Sequence, residues 1–167
     1  MIIVQGWARM AHPICGWSIV EVGKANLGEM RPCSVRADVT LNLNVKQHIK
    51  NEWQNLRKHD IGFLLTIRPP PAGSKQNPAT IAQNIQEKYG IIAVRGCEIE
   101  GMLDIKGQVV DERPDARPKF PPGDTRTYRV WLDTNQYYSD TVDNRLDVYD
   151  SFNIFMRRNA KENNFKV

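Results

Sequence analysis

Cysteine is scarce in this chain. There are three in 167 residues, Cys15, Cys33 and Cys97, an odd number with no CxxC pair among them. Zinc ribbons and disulfide scaffolds need more thiols at closer spacing. The expected role is that of small buried hydrophobes in a reducing, intracellular setting. Long hydrophobic runs are missing too. No stretch approaches the roughly 18 apolar residues that a membrane helix needs. The opening, "MIIVQGWARM", has neither the basic nor the apolar region of a signal peptide. It begins directly in strand-like sequence, as an excised piece would.

The specific chemical motifs are also absent. Neither GxxxxGK[ST] nor GxGxxG occurs. "AGSK" holds Gly73 and Lys75 without the strand, spacing and helix that make a phosphate cradle. The chain by itself is therefore expected to hold no nucleotide and no other cofactor. No GxSxG elbow and no HExxH pair are present, and His12, His48 and His59 stand apart.

What is present is ordinary globular composition, 41% hydrophobic and 25% charged, with a mean hydropathy of −0.51. This points to one soluble domain over 1–167, large enough to bury a core without staples. The net charge of +4 and pI near 9.0 are compatible with nucleic-acid contact without requiring it.

Residues 35–45, "VRADVTLNLNV", set Val35, Ala37, Val39, Leu41, Leu43 and Val45 on one face and polar residues on the other. That alternation predicts a strand with one wet face, and so an antiparallel sheet or barrel. The period then changes. Val45, Ile49, Trp53 and Leu56 form one helical stripe, predicting an amphipathic helix over about 45–57 with Asn44 as its N-cap. Beyond it, Ile61, Phe63, Leu65 and Ile67 alternate in a strand that feeds the core and stops at Pro69–Pro71.

Further strands are predicted at "GWSIVEV", "IIAVRGCEIEGML" (with a bulge or corner at Gly96), "QVV" after a "DIKG" turn, "RTYRVWL" and "VYDSFNIFMRR". In the last, Val148, Phe152, Ile154 and Met156 share a face. A short helix ending at Gly90 fits "ATIAQNIQEKYG", and residues 69–80 and 111–124 read as long loops that offer docking elements. The fold class is mainly β: a small antiparallel β-barrel with one amphipathic helix and long loops.

Candidate chemistry is thin. His59–Asp60 resembles a base with its orienting carboxylate, but neighbours entering a strand point apart, so a turn is the better reading. Glu98 and Glu100 share a strand face, which suits either an acid/base pair or a solvated surface. Arg126 and Arg129 bracket Tyr128, with Trp131 following, and Arg157, Arg158 and Lys161 cluster near the C-terminus. Arginines beside aromatics hold phosphates and stack bases, so these five basic residues are the candidate RNA contacts. The competing reading buries Tyr128, Val130 and Leu132 and leaves the arginines to solvate the other face. Trp7, Trp17 and Trp53 read as core anchors.

Three blocks, "VRADVTLNLNVKQHIKNEWQNLRKHDIGFLLTIRP", "VRGCEIEGMLDIKG" and "FNIFMRRNAKENNFK", together with "GWARMAHPI", resemble the Aquarius family of intron-binding, superfamily 1 helicase-like proteins of the spliceosome. The resemblance covers nearly the whole chain apart from 69–90, 111–124 and 139–147. It implies a β-barrel accessory domain lying ahead of the motor domains of a longer protein, with no motor of its own. The family's nucleotide-binding residues have no matching positions here, so ATP and magnesium are implied for the parent only. The resemblance further implies a nuclear location, intron and pre-mRNA as the parent's RNA, and spliceosomal partners including a TPR-type scaffold and a cyclophilin, with no membrane.

Overall fold

In the computed structural model the described residues are 10–68, 90–110 and 121–158. They form a closed, wholly antiparallel barrel of six strands in the order β1-β2-β5-β4-β3-β6. The strands are β1 (Ala11–Val22), β2 (Val35–Asn42), β3 (Ile61–Ile67), β4 (Ile91–Met102), β5 (Thr125–Leu132) and β6 (Ile154–Arg157). Helix α1 (Gln47–Gln54) joins β2 to β3. Helix α2 (Thr134–Val142) and a 3-10 turn (Leu146–Asp150) join β5 to β6. Closure is made by β6, which pairs Ala11↔Met156 on one side and Leu64↔Phe155 on the other.

The alternation of 35–45 appears in β2, where Val35, Ala37, Val39 and Leu41 are fully buried. The strand ends at Asn42, and Leu43 continues into the core outside it. The predicted helix is shorter than its stripe. Lys46, not Asn44, occupies the N-cap position and no side chain caps it. The Asn42 side chain takes the Asn44 N–H instead, holding Asn44 in the preceding turn. Trp53 is fully buried as expected, and its carbonyl accepts from the buried Tyr128 hydroxyl at 2.7 Å.

Two strands face the other way from the sequence expectation. In β3 the inward residues are Gly62, Leu64 and Thr66, while Ile61, Phe63 and Ile67 lie half-buried on the outside. The reason is Phe155. Its ring lies where a Cβ on residue 62 would be, so only a glycine faces it there. In β6 the inward residues are Phe155 and Arg157, which turns Ile154 and Met156 outward. Phe152 does enter the core, from the turn before the strand, and Val148 packs on the core from the 3-10 turn.

Of the cysteines only Cys97 is buried, and burial pushes its thiol up to about 12; Cys15 and Cys33 are exposed, against expectation. Neither has an inward place to occupy: Cys15 lies at the β1 register shift, and Cys33 in the loop before β2. The β4 irregularities fall between Ile99 and Gly101 against β5 and between Ile91 and Ala93 against β3, not at Gly96. The "DIKG" turn forms, with Asp104 Oδ1 accepting from the N–H groups of Lys106 and Gln108 and Gly107 in the left-handed region. The expected loop at 69–80, the helix before Gly90, and Trp7 lie outside the described residues, as does most of 111–124.

Candidate functional site

His59 and Asp60 form the turn that carries the chain from α1 into β3. His59 has a left-handed backbone (φ 74°), and its N–H donates to the Ile99 carbonyl. Asp60 does not orient the imidazole; its carboxylate accepts from the Arg57 N–H at 2.8 Å. The imidazole instead bonds Glu98 through Nδ1 and stacks on Trp131, with Lys58 Nζ 5.7 Å from the same ring. Glu98 and Glu100 both face outward, but toward different partners. Glu100 lies 3.6 Å from Arg36. They do not converge as an acid/base pair. Among the described residues no group of three or more His, Cys, Asp or Glu is placed to hold a metal.

The basic residues are dispersed and engaged. Arg126 shares the inward face with Tyr128, because the strand period puts 126, 128, 130 and 132 on one side. This corrects the competing reading, in which it solvates the outer face. It is 4% exposed and donates to the carbonyls of Gly123 and Thr125. Arg129 faces outward as a two-pronged partner of Asp38, at 2.9 and 3.2 Å. Arg157 lies inside, bonded to Glu52 at 2.6 Å and over the Trp53 ring. Arg158 is exposed just past β6, and Lys161 lies outside the described residues. Around Arg129 the outer face of β2, β5 and β4 is a mixed-charge lattice. Arg36 and Arg129 stand there among Glu21, Asp38, Glu98 and Glu100. His59 and Lys58 stand at its edge, beside Glu98 and Trp131.

Two buried polar clusters escaped the sequence reading. Toward the Arg126 end of β5, His12 packs edge-on to Trp53 at 4.7 Å, and burial, then Arg157, lowers its pKa. Toward the Leu132 end, Arg95 meets Asp140 through two bonds of 2.9 and 3.0 Å, and Tyr149 donates to the same carboxylate at 2.6 Å. Burial pulls the Asp140 pKa upward, but hydrogen bonds from Arg95, Tyr149 and Gln136 outweigh it and lower the group overall. Arg95 and Asp140 are 45 positions apart, so no local pattern announces the pair.

The remaining outer wall is apolar. Phe63 lies between Gly96 and Met156, and Leu65 between Val94 and Ile154, with Ile61 and Ile67 along the same strand face. This barrel of six strands, with one flank of mixed charge and one apolar flank, matches a family model described as the β-barrel of the intron-binding protein aquarius, over residues 1–158. The chain belongs to the Aquarius β-barrel family. It is 53% identical over 171 residues to the RNA helicase aquarius of Mus musculus, covering 99% of this chain and 11% of that protein. The chain therefore spans about a tenth of the length of this curated relative.

Proposed function

We propose that this barrel is a noncatalytic accessory domain of a nuclear, Aquarius-like RNA helicase acting in pre-mRNA splicing, and that it braces the rest of that protein through protein contacts. The observation that carries this reading is the stripe on the outer side of β3 and β6, where Ile61, Phe63, Ile67, Ile154 and Met156 are half-buried around a buried Leu65. A closed barrel fills its interior from one strand face, so a second apolar face on the same strands lies outside that interior and suits packing against further protein. The parent's ATP and magnesium, its intron RNA and its spliceosomal partners belong to this reading and not to the barrel's own chemistry. The test is Phe63→Asp in the long protein. We expect faster limited proteolysis at the barrel's borders and an unchanged melting temperature of the 167-residue chain. Unchanged proteolysis would count against the bracing role.

RNA contact is the second reading. Arg158, exposed at the exit of β6 beside Arg157, favours it. Under the bracing reading, single-stranded RNA binds the chain weakly and with little salt dependence. A plot of log K against log salt with slope near −2 or steeper, reduced by Arg129→Gln or Arg158→Gln, would establish about three phosphate contacts and support RNA positioning instead.

A further inference from the structure

The chain between β1 and β2 forms a hairpin arm. Past Val22↔Val35, the last pair of the two strands, its sides stay together. The Gly23 N–H donates to the Ser34 carbonyl, the Cys33 N–H donates to the Lys24 carbonyl, and Ala25 bridges Pro32. At the tip the Glu29 N–H donates to the Asn26 carbonyl at 2.9 Å. Gly28 takes the left-handed conformation (φ 82°) that the third position of a type II turn requires. Leu27 is the second residue of that turn. It is fully exposed, and Met30, just past the turn, is 79% exposed.

Lone exposed leucines are common. This one sits on a frame. Two side chains tie the arm to α2: Arg31 donates to the Asn135 side chain at 2.5 Å, and the Tyr138 hydroxyl lies 3.7 Å from Met30 Sδ. With the main chain bonded across the arm and the arm bonded to α2, the tip is ordered before it meets anything. Much of the ordering cost of an interface is then already met. A fixed apolar knob fits a concave apolar pocket.

Area decides where that pocket lies. A stable complex between free molecules buries about 800 Å² on each partner. Leu27 and Met30 alone cannot offer so much. Within one polypeptide, a high effective concentration makes a small contact sufficient. The chain spans 11% of its aquarius relative, so most of such a protein lies outside it. We infer that Leu27 and Met30 plug into an apolar pocket on the remainder of the same long protein. This rests on the bracing reading and adds a contact separate from the stripe on β3 and β6.

The test is methionine oxidation. The 167-residue chain and the long protein are treated with dilute hydrogen peroxide, and Met30 sulfoxide is followed by peptide mass spectrometry. Buried Met102 serves as the slow internal reference. Met30 should oxidise several-fold more slowly in the long protein, and should stay protected at high salt, since the contact is apolar. Leu27→Asp in the long protein should return Met30 to the rate of the 167-residue chain, and Leu27→Met should keep the protection. Because Leu27 is fully exposed, Leu27→Asp should leave the melting temperature of the 167-residue chain unchanged. Equal Met30 rates in the two proteins would overturn the inference. So would protection that survives Leu27→Asp, or that is lost at high salt. Proteolysis of Phe63→Asp reads the stripe and Met30 oxidation reads the arm, so either can fail alone.

Discussion

Gly62 is the residue on which the inward face of β3 turns. A Cβ there would sit 2.7 and 2.9 Å from the Phe155 ring, which is itself fully buried. Gly62→Ala should destabilise the barrel by about 1–3 kcal/mol, the usual cost of overpacking, measurable by urea unfolding. His12 sets a pH dependence. Its folded pKa lies below the unfolded value near 6.5, so the unfolded chain binds the proton first. Stability is then full above about pH 6.5 and falls as the pH drops from there toward the folded pKa. His12→Phe, which keeps the contact with Trp53, should flatten that decline in thermal melts between pH 7 and 5.

Helix α2 depends on one side chain at its start. Asp133 accepts from the N–H groups of Asn135 and Gln136 at 2.9 and 3.2 Å. Asp133→Ala should cost about 1 kcal/mol and Asp133→Asn much less, read as a shift in the urea midpoint. Elements also show where the sequence was legible. β2 has polar residues at every second position, so one face only can be the core, and that face is the buried one. β3, "IGFLLTI", is apolar at 61, 63, 65 and 67 but also at 64, and nothing in the segment says which set turns inward. The same ambiguity in "FNIFMR" leaves the facing of Ile154 and Met156 open in the sequence. Residues 134–142 carry a weak helical pattern with polar residues all round, and their helix is held by the cap and by Asp140 reaching Arg95.

Closure of the whole molecule joins its two most distant strands, Ala11 against Met156. Such non-local pairing must be reached before it is rewarded, so refolding followed by tryptophan fluorescence should take milliseconds to seconds rather than microseconds. The same closure sorts the arginines. Arg126 and Arg157 fall inside the barrel and Arg129 meets Asp38 across β2 and β5, none of which their place in the sequence reveals. Of the candidate RNA contacts, Arg158 is the one that the described surface leaves exposed.

By itself the sequence determined the strand periods, the α1 stripe with its buried Trp53, the barrel class, and the family, because these rest on local periodicity and on long blocks of specific residues. Only the tertiary structure decided which apolar face of β3 and β6 looks inward, which arginines are spent on internal partners, and where β4 outruns β5. Those are settled by volume and pairing between residues far apart in the chain: the Phe155 ring against Gly62, Asp140 against Arg95, and a β5 that turns into α2 before β4 ends.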